Sequence, residues 1–189
     1  MFKDMAVTIK GVSPLLLRNG QLRDPLNYFS KELKKVSSKK NKADEDHIEL
    51  ARLDWYGGLY LNSNKEIIIP GENLESMIRS GAKKNKLGKQ FSAAVMVSDA
   101  PLLKYKGSKN IDDLWNNDNF RLTVGVKIGQ KAVMRCRPIF REWGLSFTIQ
   151  YDESIVEADK VLTALKVSGQ LCGLGDWIPK HGRFEVVQN

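Results

Sequence analysis

Cysteine and histidine are scarce in this 189-residue chain, at two of each. Cys136 and Cys172 cannot form a disulfide framework, and no Cys/His group has metal-ligand spacing, so structural zinc and disulfide-scaffold classes are set aside and no metal is expected. A reducing, intracellular and specifically cytoplasmic setting is the expectation. Long apolar runs are missing as well: nothing approaches the roughly 20 residues that cross a bilayer. The start, Met1-Phe-Lys-Asp-Met5, carries an acid and no apolar core, so no signal peptide is expected. Glycine is present at 15 positions, but none stands in a Gly-Lys-Ser/Thr phosphate loop. No glycine run follows a strand and opens a helix, which argues against a nucleotide cofactor. Acids are the minority charge, 22 against 30 Lys and Arg, for a net charge of +8. An excess of that size favours an anionic partner, nucleic acid before membrane, although a basic soluble protein of another kind has the same balance.

What is present is 42% hydrophobic residues, the ordinary load of a globular chain, in one domain's length. Met5 to Lys10 alternates apolar and polar side chains and predicts a first strand. Asp24-Pro25 reads as a helix start running to about Val36, with Asp24 at the N-cap. Ser37 to Asn41 is a break in a lysine-rich stretch (Lys31, Lys34, Lys35), read as a solvated linker. Ala43 to Leu61 predicts a second helix with Ile48, Ala51, Trp55 and Leu59 on one face, which makes Trp55 a core residue. Glu66 to Pro70 predicts a short strand, and Glu72 to Lys84 a helix buried through Leu74, Met77, Ile78, Gly81 and Ala82. Phe91 to Lys104 fits either helix or strand, with Leu102 to Tyr105 read as strand.

Phe120 to Ile128 and Lys131 to Phe140 alternate on either side of Gly129-Gln130 and predict a hairpin. It carries Arg121, Lys127, Lys131, Arg135, Arg137 and Arg141. Arg135 and Arg137 share one face by the period of two. That face is either a binding surface or an edge protected by charge. Glu142 to Tyr151 predicts an internal strand. Ser154 to Leu171 predicts a helix with Ser154 and Glu157 spaced as a capping box. A glycine-rich loop (Gly173, Gly175, Gly182) then leads into a terminal strand, Arg183 to Val187. Its amides can form a concave nest for an anion. No internal repeat is visible.

Two motifs in this order resemble the RAMP superfamily, the repeat-associated proteins that form RNA-binding subunits of CRISPR effector complexes. One is Gly173-Leu-Gly175 followed by Gly182-Arg-Phe-Glu-Val186, similar to the family's glycine-rich loop. The other is Ile68-Ile-Pro-Gly-Glu-Asn-Leu-Glu-Ser-Met-Ile-Arg79, similar to its strand-to-helix junction. Asp176, Trp177 and Pro179 stand where many members carry Arg and Ser. The resemblance implies an α+β, ferredoxin-like or RNA-recognition-type sheet in a single domain over 1–189. A helical insertion at about 25–61 and a basic hairpin thumb at about 120–140 complete the expectation. It also implies a non-catalytic subunit that stacks head to tail along a single-stranded guide RNA, with other effector subunits and target DNA or RNA as partners. A stand-alone phage-type protein that coats single-stranded nucleic acid and a processing ribonuclease of the same superfamily are the alternatives.

Binding of this kind needs a basic groove and planar groups beside unpaired bases. The expected contacts are Arg18 and Arg23 after the first strand; Arg79, Lys83 and Lys86, sharing a helix face with Lys89 close by; Arg135 and Arg137 on the hairpin; and Trp177, Lys180, His181 and Arg183 in the glycine loop. Trp177 fits either a base platform or a plug on the core. The acids Asp44, Glu45, Asp46 and Glu49 fall at a helix start, where acids are expected. Asp112, Asp113 and Asp118 read as loop acids. His181 and Asp24 are the candidate groups for RNA cleavage, with phosphate contact or capping preferred for each, and no cofactor is expected.

Overall fold

The computed structural model describes residues 1–187, with the backbone alone at positions 128 and 131. Strand β1 (Phe2–Gly11) is followed by the two-residue β2 (Leu15–Leu16), a 3-10 turn at Gly20–Arg23, and helices α1 (Tyr28–Ser37), α2 (Asp44–Gly58), α3 (Gly71–Lys84) and α4 (Gly88–Ala94). Then come β3 (Val95–Met96), β4 (Lys104–Tyr105), the short helix α5 (Ile111–Trp115), hairpin strands β5 (Arg121–Ile128) and β6 (Lys131–Phe140), β7 (Trp143–Asp152), α6 (Ala158–Val167), a π-turn at Ser168–Cys172 and β8 (Phe184–Val187). The chain divides into two compact units: one of residues 1–15, 61–106 and 141 onward, the other of residues 16–60 and 107–140.

The first unit is built on an antiparallel sheet of order β3-β7-β1-β8, with β4 also pairing β7. β1–α3–β3 is a crossover with β7 inserted between its strands, and β7–α6–β8 is a second with β1 inserted. Two such split β–α–β units make the ferredoxin-like topology. One sheet face is apolar: Val7 and Ile9 of β1, Leu145, Phe147, Ile149 and Tyr151 of β7, and Phe184 of β8 are buried. α3 supplies Leu74, Met77, Ile78 and Ala82 to the same core, and α6 supplies Val161, Ala164 and Leu165. The helices meet closely at Gly81, where a Cβ would collide with the Ala164 carbonyl and the Ser168 hydroxyl. The Ser168 Oγ lies 2.8 Å from the carbonyls of both Met77 and Ala164, which ties α3 to the end of α6. The other sheet face is polar, with Thr8 and Ser146 paired through their hydroxyls at 3.0 Å and Gln150 donating to Asp4.

The second unit packs α1 on α2 and α2 on β6. Trp55 is fully buried, as expected, and its indole Nε1 donates to the Phe120 carbonyl at 2.8 Å. The segments expected as a helical insertion and a hairpin both fall in this unit.

Four local expectations are corrected. α1 starts at Tyr28, because Asn27 caps it by accepting from the Phe29 amide at 2.9 Å. The Asp24 carboxylate instead accepts from the Leu26 amide at 2.8 Å in a turn ahead of the helix. α6 starts at Ala158 without a capping box, because Ser154 turns back to Asp152 through its amide and hydroxyl. Ile48 is 60% exposed although it falls on the Trp55 stripe. Ile67 and Ile68 make isolated bridges to Leu61 and Leu102 in place of the expected strand. The ambiguous 91–104 stretch is helix through Ala94 and extended after it.

Candidate nucleic-acid interface

In the first unit the apolar period of α3 turns Leu74, Met77, Ile78 and Ala82 inward and leaves Arg79 and Lys83, four residues apart, on the outer side. The helix ends in a Schellman motif: the Leu87 amide donates to Ala82 O at 3.0 Å and the Lys86 amide to Lys83 O at 3.1 Å. Lys86 takes the left-handed position of that motif, with φ of 61°. Glycine or asparagine usually stands there, since a Cβ is unfavourable in that region. The reversed chain starts α4 at Gly88 and brings Lys89 and Ser92 beside α3. Gly88 also makes room for Lys83, whose Cγ would lie 2.6 Å from a Cβ there. The product is an open cleft of about 410 Å³ lined by Arg79, Lys83, Lys86, Gly88, Lys89 and Ser92. Among the described residues none of its four cations forms an ion pair. Such a surface attracts phosphates and is screened by salt.

The glycine loop is a closed structure. Gly173, Gly175 and Gly182 have φ of 82°, 91° and 74°. A Cβ on Gly182 would overlap the Leu174 carbonyl. Several of the loop's amides are spent internally: Gly173 N donates to Ser168 O, Leu174 N to Gly182 O, His181 N to Trp177 O and Gly182 N to Pro14 O, all between 2.8 and 3.1 Å. Arg183 N donates to the Ser13 hydroxyl at 2.9 Å. These five amides therefore seal the loop and are not available as an anion nest. Trp177, itself at φ of 54°, lies half-buried with its ring 6.2 Å from that of His181, and the Ile178–Pro179 bond is cis. Burial and the neighbouring Lys180 lower the His181 pKa, while the Pro14 carbonyl and Asp176 oppose them. Among the described residues, His181 Nδ1 is buried without a hydrogen-bond partner. A half-buried imidazole tilted beside Trp177, with its pKa lowered, is a poor phosphate ligand, whereas Lys180 and Arg183 are exposed.

The second unit holds a groove of about 400 Å³ that brings together Arg18, Lys34 and Arg135 over Leu22, Leu33, Leu50, Val133 and Met134. Arg23 is exposed on the 3-10 turn and is not among its lining residues. Arg137 corrects an expectation. It is 1% exposed, and its Nη1 donates to Asp54 Oδ2 at 2.8 Å. The lower half of the hairpin, from Cys136 to Phe140, is buried on both faces, so the alternation that joined Arg137 to Arg135 did not carry exposure with it. Arg121 is also engaged, paired with Asp118 and 4.6 Å over the Trp115 ring. The side chain of Lys131 lies outside the described residues. Lys34 was missed as a contact because it reads as part of a solvated lysine run. Its signal was the spacing of Ser30, Leu33, Lys34 and Ser37 on one helical face.

The fold and these surfaces define a class: an α+β protein with a ferredoxin-like antiparallel sheet, a second helix-and-hairpin unit carried on its connections, and unpaired cations gathered in clefts. No protein-family model and no curated protein matches the sequence. Among solved structures, the chain is similar to one in the cryo-EM structure of the Type III-B Cmr-beta bound to cognate target RNA, with a TM-score of 0.49 and 14% identity, covering 99% of this chain. It spans 59% of the length of that chain. It is also similar to Cmr6 from Pyrococcus furiosus, with a TM-score of 0.43, 10% identity and 99% of each chain covered.

Proposed function

We propose that this protein is a non-catalytic, single-stranded RNA-binding subunit that oligomerises along a guide RNA in a CRISPR effector ribonucleoprotein. The observation that carries the binding role is the α3–α4 cleft, where Arg79, Lys83, Lys86 and Lys89 stand together with no carboxylate of the described residues paired to any of them. Lys86 stands in the left-handed region, where glycine would relieve the backbone. Recognition through phosphates is independent of sequence, as a subunit that tracks any guide requires. The assignment to a guide-binding complex rests on the two sequence motifs around Pro70-Gly71 and Gly173–Val186.

A non-catalytic role agrees with the two candidate groups. Asp24 is committed to the Leu26 amide, and His181 is half-buried beside Trp177 in a sealed loop. The test is to purify the protein without nuclease and sequence whatever nucleic acid accompanies it. RNA of uniform length with repeat-derived ends supports a guide-binding subunit. Heterogeneous RNA or DNA supports a stand-alone single-strand coat, and a nucleic-acid-free protein without affinity at low salt overturns the binding role.

A further inference from the structure

The groove of the second unit is chemically unlike the α3–α4 cleft. Leu22, Leu33, Leu50 and Val133 are half-buried along it, Met134 is 63% exposed, and Arg18, Lys34 and Arg135 bring positive charge to the same space. We propose that this groove holds one nucleotide of the bound strand, with the base against the aliphatic floor and the flanking phosphates on Arg18, Lys34 and Arg135. The inference rests on the single-strand-binding role proposed above and assigns it a base-holding site.

The volume, about 400 Å³, lies in the range of roughly 300–1,000 Å³ that small ligands occupy. Asp54 contributes the acid in the lining, and its Oδ2 is already held by Arg137 Nη1 at 2.8 Å and the Cys136 amide at 2.9 Å. Its charge is therefore answered from within the unit and does not oppose a phosphate. Among the described residues Arg18, Lys34 and Arg135 form no ion pair. The hydroxyls in the groove are also in use: Ser30 Oγ donates to Leu22 O at 3.1 Å and Ser37 Oγ to Lys34 O at 3.1 Å. The thioether of Met134 and the guanidinium plane of Arg135 accept a flat ring of any identity. A groove with an apolar floor, three cations and hydroxyls already engaged suits a base held for its shape and not read for its sequence.

The experiment uses the full chain and a 12-nucleotide single-stranded RNA carrying one 4-thiouridine, crosslinked by light and mapped by mass spectrometry. Crosslinks on peptides containing Val133–Arg135 and Leu33 or Leu50 are expected. Replacing bases by abasic sites should weaken binding to the wild type by about fivefold, the low end of a stacking contribution. The same replacement should matter less to Met134→Ser, a change at an exposed position that spares the fold. Crosslinks confined to residues 79–92, with Met134→Ser binding like wild type, overturn the groove and leave the RNA-binding role standing. No binding of the strand at low salt overturns both. Equal affinity for intact and abasic strands with no groove crosslinks overturns the inference.

Discussion

Asp54 and Arg137 form a buried ion pair inside the helix-and-hairpin unit, with Asp54 Oδ2 at 2.8 Å from Arg137 Nη1 and their side chains 7% and 2% exposed. The same oxygen accepts from the Cys136 amide at 2.9 Å. One carboxylate of α2 thus answers both a charge and a backbone donor in β6. The pair fixes the register of helix against hairpin within the unit, and it removes an arginine from the surface that binding would require.

Breaking the pair takes the opposing charge away from a buried ionised side chain. Asp54→Ala should lower the stability of the second unit by about 3–5 kcal/mol, and Arg137→Met by a comparable amount. The double variant Asp54→Ala/Arg137→Met should recover part of this loss, losing less than the sum of the two single changes. Recovery stays incomplete, because the Cys136 amide is left without an acceptor at a cost of about 1–3 kcal/mol. Urea denaturation of the three variants measures the coupling. Additive losses in the double variant would count against the pair as the cause.

The contrast between Arg135 and Arg137 marks where the sequence stopped being legible. A period of two states which side chains share a face of a strand, and it gave the hairpin and β7 correctly, as the helical period gave the outline of α3. It does not state whether a face is covered, and along one strand β6 passes from half-buried Val133 and Arg135 and exposed Met134 to fully buried Cys136–Phe140. The α3 cleft was readable because Arg79, Lys83 and Lys86 belong to one helix and its cap. The second groove was not, since Arg18, Lys34 and Arg135 come from three distant segments that no local pattern joins. The glycine loop was found as a motif, and its glycines do take positive φ, but its amides were read as an anion nest. The glycines allow backbone to approach backbone at Leu174 and His181, which no count of glycines reveals.

That close approach makes a stability prediction. At Gly182 a side chain meets the Leu174 carbonyl and the backbone stands at φ of 74°. Gly182→Ala should cost about 3 kcal/mol or more, or prevent folding. Gly20→Ala has open space around its Cβ and no positive φ, and should stay within about 0.5 kcal/mol of wild type. Thermal melts of the two variants check the difference, and similar losses at both positions would argue against close approach as the cause.

Tyr56 donates to Asp112 Oδ1 at 2.5 Å, and burial together with that bond pushes its pKa up from 10.0 to about 12. The folded state therefore prefers the protonated phenol. The stability this contributes is fully present below about pH 10 and is lost as pH rises towards 12. The difference in melting temperature between wild type and Tyr56→Phe should be constant from pH 8 to 9.5 and shrink above pH 10. A gap that holds to pH 12 would show that the hydroxyl contributes nothing through its proton.

Lys86 sets stability against binding at one position. Its backbone stands at φ of 61° in the left-handed place of the α3 Schellman motif, and its side chain lines the cationic cleft. Lys86→Gly relieves the Cβ and should stabilise the first unit by up to about 1 kcal/mol, the gain being reduced by the extra freedom glycine gives the unfolded chain. The same change removes one phosphate contact. The slope of log affinity against log salt should fall by about 1, with no change in base preference. Lys86→Asn tolerates the left-handed region and loses the charge as well, so it should reproduce the binding loss with a smaller gain in stability. Lys86→Arg keeps the charge and the strain, and should bind like wild type. Titration of a labelled single strand at several salt concentrations, beside thermal melts of the same variants, separates the two effects. A Lys86→Gly protein that is more stable and binds with an unchanged salt slope would remove Lys86 from the phosphate track and leave its backbone strain without a functional reason.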